Sequence, residues 1–178
     1  MPHAIELFFD DDSDLRIRKL WERLAGLGAT YMHSSGARPH LTLAVCDSID
    51  LPAASRLLDG FGENFASFPL QFAATGFFPG EKPVMFLAPK VTSELLQLQE
   101  QFHEELSLIS PDIWPNYTPA KWMPHCTLAM DLPREQCGQI AGVIDAAALP
   151  FEVEVVSLGM VEFRPVKLKH TTRLTLRT

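Results

Sequence analysis

Apolar and polar positions change their spacing several times along the chain, and each change marks an element. His3 to Phe9 alternates, with Ile5, Leu7 and Phe9 on one side, and reads as a strand. Asp10, Asp11, Asp12, Ser13 and Asp14 follow, acids suited to capping a helix and complementing its dipole. Leu15 to Leu27 has helical spacing through Leu20, Leu24 and Leu27, with Gly26 and Gly28 to stop it. His40 to Cys46 is the next predicted strand, and Pro52 to Leu58 a helix with proline in its first turn. Phe68 to Phe78 alternates through Leu70, Phe72 and Ala74; residues 79–82 are turn chemistry, and Val84 to Ala88 is the partner strand. Thr92 to Ile109 is the clearest helix, apolar at Leu95, Leu98, Phe102, Leu106 and Ile109. Beyond a loop with four prolines, His125 to Met130 reads as a strand and Pro133 to Ala147 as a helix. Phe151 to Phe163 and Thr171 to Leu176 read as strands.

In this order the chain repeats itself. Strand, helix, loop, strand, helix, strand runs from about 3 to 78 and again from 84 to 163, with a last strand near 170–177. The pattern predicts one α+β domain over residues 1–178 with two lobes related by a pseudo-two-fold. Each lobe is expected to hold a mainly antiparallel sheet with flanking helices, and the sheets to face each other across a cleft.

Composition narrows the class. Hydrophobic residues are 47% of the 178 and charged residues 21%, as in a globular chain and unlike a disordered one. The longest apolar runs, such as 146–151, fall far short of a membrane span of ~20 residues. No basic segment followed by an apolar stretch opens the chain, so no signal peptide is predicted. Cys46, Cys126 and Cys137 show no paired spacing, and the expectation is a reduced, cytoplasmic protein without a membrane partner. The net charge of −7 disfavours long nucleic acids as partners. It is unevenly spread: residues 161–178 carry five basic residues against one acid, +4, which leaves −11 for the other 160. A short anionic ligand fits that distribution better than a long one.

The repeat is sharpest where it carries chemistry. Pro39-His40-Leu41-Thr42-Leu43-Ala44 recurs as Pro124-His125-Cys126-Thr127-Leu128-Ala129, identical at five of six positions. Strand alternation puts His40 and Thr42 on one face and Leu41 and Leu43 on the other; His125 and Thr127 are likewise opposed to Cys126 and Leu128. Cys126 is therefore a core residue rather than a nucleophile. Two imidazoles meeting across a cleft suit general acid–base catalysis, since both titrate near neutral pH. Two threonine hydroxyls beside them can donate to the oxygens of a phosphate. A single histidine two residues before a threonine means little, as His170-Thr171-Thr172 demonstrates. Two copies with matching flanks at matching places in a repeat favour function. The acids at 10, 12 and 14 resemble a calcium loop only superficially, because Leu15 stands where that loop needs glycine. No metal-ligand spacing accompanies the histidines, so no metal or other cofactor is expected.

The paired His-x-Thr-Leu motifs, 85 residues apart, resemble those of the two-histidine (2H) phosphoesterases, whose best-known members are the 2′-5′ RNA ligase-like RNA 2′,3′-cyclic phosphodiesterases. Gly76-Phe77-Phe78-Pro79 before the central hairpin adds to the likeness. The resemblance implies a bilobal fold and a metal-free reaction at phosphodiester or cyclic phosphate bonds. By position it makes His40 the proton donor, His125 the proton acceptor, and Thr42 and Thr127 the phosphate ligands. The implied partner is a small nucleotide or a short RNA end with a cyclic phosphate.

Around the motifs, Trp114, Tyr117 and Trp122 could stack a base or simply pin a proline-stiffened loop. Phe78, with Tyr117 and Trp122, is a candidate substrate contact, although alternation requires Phe77 or Phe78 to face the core. Arg173, Thr175 and Arg177 share a face of the last strand, where they could steer an anion or protect a sheet edge by charge; edge protection is favoured because it needs no ligand. An enzyme and a nucleotide- or RNA-end-binding module without turnover both fit; intact histidines and threonines in both copies favour the enzyme.

Overall fold

The computed structural model describes residues 1–131, 133–145, 149–163 and 165–176. Among these residues, seven strands, β1 (His3–Phe9), β2 (His40–Cys46), β3 (Phe68–Phe78), β4 (Val84–Pro89), β5 (Cys126–Ala129), β6 (Phe151–Glu162) and β7 (Lys167–Arg173), are interspersed with five α-helices. These are α1 (Asp11–Ala25), α2 (Tyr31–Ser34), α3 (Leu51–Asn64), α4 (Ser93–Ser107) and α5 (Cys137–Asp145). The α+β class, the antiparallel pairing and the flanking helices agree with the sequence.

Helix starts follow local chemistry. Asp10 caps α1, its carboxylate accepting from the Ser13 amide at 3.0 Å, and Asp11, Asp12 and Asp14 occupy the first turn. The helix therefore begins four residues before the first apolar position used to predict it. Asp50 caps α3 and Thr92 caps α4 in the same way. α3 runs beyond the predicted Leu58, and its Gly62 serves packing rather than termination: a Cβ there would stand 2.7 Å from the Arg173 carbonyl oxygen. The predicted end of the α5 helix at Ala147 lies outside the described residues, as do Arg164 and Arg177.

All the strands join one antiparallel sheet in the order β2-β1-β6-β3-β4-β5, with β7 on the free side of β6. Exchanging β1 with β4, β2 with β5 and β3 with β6 returns the same order read backwards. The repeats are thus related about the β6–β3 pair, and they interlock: β6 pairs with β1, and β3 with β4. Where the sequence suggested one sheet per repeat, the strands form a continuous sheet whose halves each draw on both repeats. The cause lies in the long strands. Phe68–Phe72 of β3 pairs with β6 and the rest of β3 with β4, so one strand serves both halves.

The helices cross over as well. α1 packs on β5 and α4 on β2, each against the motif strand of the other repeat. Trp21 of α1 donates its indole N–H to the Thr127 carbonyl at 3.0 Å. Gln99 of α4 is 2% exposed and donates to the carbonyls of Leu43 and Tyr117. Leu41, Leu43, Cys126 and Leu128 are fully buried beneath these helices with Ile17, Leu24, Leu95 and Phe102. Burying one such aliphatic side chain stabilises the fold by roughly 1.5–3 kcal/mol.

Candidate active site

β2 and β5 stand at opposite ends of the strand order yet lie in contact, because the sheet curls until its two edges meet. That meeting brings the two motifs together. His40, Thr42, His125 and Thr127 are all partly buried on the face opposite Leu41, Leu43, Cys126 and Leu128, as strand alternation requires. Cys126 belongs to the core, and burial pushes its thiol up to about 12, far from the thiolate a nucleophile needs.

Each histidine is held the same way. His40 Nδ1 lies 2.6 Å from the Arg38 carbonyl oxygen, and His125 Nδ1 lies 2.7 Å from that of Met123. A carbonyl only accepts, so Nδ1 carries the hydrogen in both rings and Nε2 is left for chemistry. The proline between carbonyl and histidine explains the geometry: it keeps the preceding residue extended, so that its carbonyl can turn back to the ring. The Pro-His pair seen twice in the sequence is a device for orienting imidazole.

The threonines sit between two hollows of one cleft. A cavity of about 250 Å³ is lined by Glu6, Tyr31, His40, Thr42, Tyr117 and Thr127, among others. A second, of about 550 Å³, is lined by Thr42, Phe78, Tyr117, Trp122, His125 and Thr127 with their neighbours. Thr42, Tyr117 and Thr127 thus face both hollows, with one histidine on each side. His125 feels His40 electrostatically, as rings sharing one site must.

Their surroundings differ. His125 stands edge-on to Phe78, ring centroids 4.9 Å apart, and 5.3 Å from Phe86. Burial holds its imidazole below the ordinary value, offset in part by the Met123 hydrogen bond and reinforced by His40. His40 Nε2 instead meets the Glu6 carboxylate at 3.4 Å. Burial pushes the Glu6 carboxyl up, while His40 and Arg38 pull it back.

Of the flanking aromatics, Trp122 is 8% exposed and donates to the Thr42 carbonyl at 2.8 Å, so it braces β2 while one side lines the larger hollow. Trp114 donates to Asp47 at 2.9 Å. Tyr117 is half-buried; burial chiefly raises its phenol, and a hydrogen bond with Thr42 counters that. The aromatic loop is therefore pinned, and its pinned residues line the cleft. Phe77 is 61% exposed and Phe78 packs on His125 and Phe86 at the cleft, so neither of the pair enters the core. Strand alternation separates the two faces, but here the second face is the site and not the interior.

Sequence reasoning missed Glu6 and Arg38. Glu6 left a signal: it is the one acid in a strand whose other face, Ile5, Leu7 and Phe9, is wholly apolar. Arg38 precedes the Pro-His pair and bonds Asp14.

The fold and the paired motifs together define a two-histidine phosphoesterase architecture, and comparison with known proteins bears on it directly. The family model of the 2′-5′ RNA ligase superfamily matches residues 9–166. The chain belongs to that superfamily. Among solved structures it is similar to TT0787 of Thermus thermophilus, at 18% identity and a TM-score of 0.67 with both chains fully covered. It is also similar to apo LigT of E. coli, at 18% identity and a TM-score of 0.59, covering 98% of this chain and 97% of that one. E. coli LigT complexed with 3′-AMP matches at 15% identity and the same TM-score, over 98% and 99%. No curated protein matches the sequence. Among the described residues, no helix is long and apolar enough to cross a membrane.

Proposed function

We propose that this protein is a metal-independent phosphoesterase that hydrolyses a 2′,3′-cyclic phosphate or a 2′,5′-phosphodiester of a nucleotide or short RNA end. One observation carries the reading: two histidines, each with Nδ1 tied to a main-chain carbonyl, flank a pair of threonines in one cleft. In-line displacement at phosphorus needs a base on the attacking oxygen and an acid on the leaving one, on opposite sides of the phosphate. In hydrolysis, His125 Nε2 takes a proton from water as its oxygen bonds to phosphorus. The ester bond to the ribose oxygen breaks, and His40 Nε2 supplies that oxygen's proton. The products are a phosphate monoester and a free hydroxyl. Thr42 and Thr127 donate to the non-bridging oxygens. The apolar setting of His125 suits a ring that must be neutral to act, and the carboxylate beside His40 suits one that must deliver a proton.

The size of the cleft supports a small ligand or a chain end, and Phe78, Tyr117 and Trp122 are placed to border a base or sugar. Structures of E. coli LigT with 3′-AMP and with phosphate support the same class of ligand for this chain. Incubation with 2′,3′-cyclic mononucleotides and 2′,5′-linked dinucleotides, with a chelator present, tests the reading. Turnover that survives chelation is expected. Tight binding with no turnover of any of these substrates would replace it with a binding module.

A further inference from the structure

The register of the two motif strands allows residue-by-residue comparison of the repeats. In the first, Ile5 faces Ala44 and Glu6 faces Thr42, with a bulge between the pairs. In the second, Met85 faces Ala129 and Phe86 faces Thr127, with a bulge at the same place. Ala44 and Ala129, like Thr42 and Thr127, hold the same places in the repeated motif. Both bulges skip the motif's second leucine, Leu43 in one copy and Leu128 in the other, and such bulges re-aim neighbouring side chains. Glu6 and Phe86 therefore occupy equivalent positions on the strand beside each motif. One places a carboxylate 3.4 Å from His40 Nε2, and the other places a benzyl ring against His125.

We infer that Glu6 is the positioning residue that makes His40, rather than His125, the holder of the transferable proton, and that the exchange of Glu6 for Phe86 between the repeats sets the direction of proton flow. This rests on the phosphoesterase reading. Two otherwise matched imidazoles would share one proton indifferently, and half of the singly protonated enzyme would hold it on the wrong side. A carboxylate beside one ring and aromatic carbon beside the other removes that degeneracy. The pair is enclosed, with side-chain exposures of 15% for His40 and 10% for Glu6, so water screens it little. Its titratable and charged neighbours are few. Arg38 and Tyr117 act on or feel Glu6, Asp14 pairs with Arg38, Tyr31 lines the same hollow, Cys126 reaches the His40 main chain, and His125 lies across the cleft. Arg38 and a protonated His125 oppose a proton on His40, and the Arg38 guanidinium is turned to Asp14 and the Phe8 ring.

Glu6→Gln keeps the shape and replaces an acceptor by an amide that can donate to Nε2, which favours the neutral ring. Two readouts apply: the NMR titration of the His40 imidazole without substrate, and kcat/KM against pH. In Glu6→Gln the His40 ring should hold its proton less well than in the wild type, and the alkaline limb of kcat/KM should move to lower pH. At pH 8 the expected loss in kcat/KM is about ten-fold. A substrate with a very good leaving group should recover most of it. Glu6→Asp, which retains the charge on a shorter arm, should give values between the two and serves if Glu6→Gln does not fold. A merely structural glutamate would lower the melting temperature and move neither readout. A His40 midpoint unchanged in both variants overturns the inference, whatever the activity. Absence of turnover in the wild-type protein would overturn the phosphoesterase reading instead, and the NMR titration would still decide the role of Glu6.

Discussion

His40 and His125 begin the same strand motif, follow the same proline and make the same hydrogen bond to a carbonyl two residues back, yet they live in different media. One ring stands beside a buried carboxylate; the other is wedged among Phe78 and Phe86. The difference does not lie in the motif. It comes from β1 and from the β3–β4 hairpin, neither of which carries so plain a repeat of its own. A repeated motif thus supplies two copies of a tool, and the strand next door decides how each is used.

The strongest way to break this comparison is to remove the tools. His40→Ala and His125→Ala should each lose about 10²–10⁴-fold in kcat/KM, and the double variant little more, because the two act as a unit. Cyclic nucleotide hydrolysis followed by chromatography measures it. A substrate with a very good leaving group should rescue His40→Ala in part and leave His125→Ala unrescued. Equal rescue of both would show that the two sides are interchangeable.

The threonines should be more alike than the histidines, since each presents a hydroxyl between the same two hollows. Thr42→Ala and Thr127→Ala should each cost about 1.5–3 kcal/mol, or ten- to a hundred-fold in kcat/KM, while serine at either position keeps most of the activity. Full activity in the alanine variants would assign the hydroxyls to structure.

The pH profile sharpens the contrast without mutation. Burial lowers His125 from the ordinary 6.5, so the base stays neutral to lower pH, and the acidic limb of kcat/KM should fall below 6.5. The same depression has a stability counterpart. The unfolded chain binds that proton more readily than the native one, so stability falls as pH drops from 6.5 through the native value. His125→Gln should flatten that portion of a melting-temperature profile relative to the wild type.

The smallest effect on activity concerns the buried side of the motifs, where the copies differ at Leu41 and Cys126. Cys126→Ala should cost about 1–2 kcal/mol in chemical denaturation and leave the catalytic step intact; Leu41→Ala, which empties more volume, should cost about 2–4 kcal/mol. Loss of activity in well-folded Cys126→Ala would contradict the face it occupies.

These differences follow what sequence can carry. β2 and β3 were legible to the residue, because alternation between a core face and an open one marks where each begins. β7 was expected near Thr171 and begins at Lys167, since a strand largely open to water loses the apolar rhythm that reveals it. The short helix α2 has no side-chain cap and only Met32 buried, so neither chemistry nor periodicity announces it. Within the site, His40, Thr42, His125 and Thr127 declared themselves by repetition. Glu6 did not, because its meaning is its partner across the sheet, and a pairing register is written in three dimensions rather than along the chain.

The interlocked order of strands has a consequence for how the molecule is made. β1 and β6 are distant in sequence but adjacent in the sheet, with His3 opposite Glu162. Contacts that span so much of the sequence are slow to form, and they demand that β6 be synthesised before the sheet can close. Until Phe151–Glu162 emerges, the growing polypeptide displays bare edges on both β1 and β3, the kind of surface on which neighbouring nascent chains pair with each other. Once β6 slots between them, both edges vanish in one step, so the two histidines, one from each repeat, come into register only after the strand that joins the halves is in place.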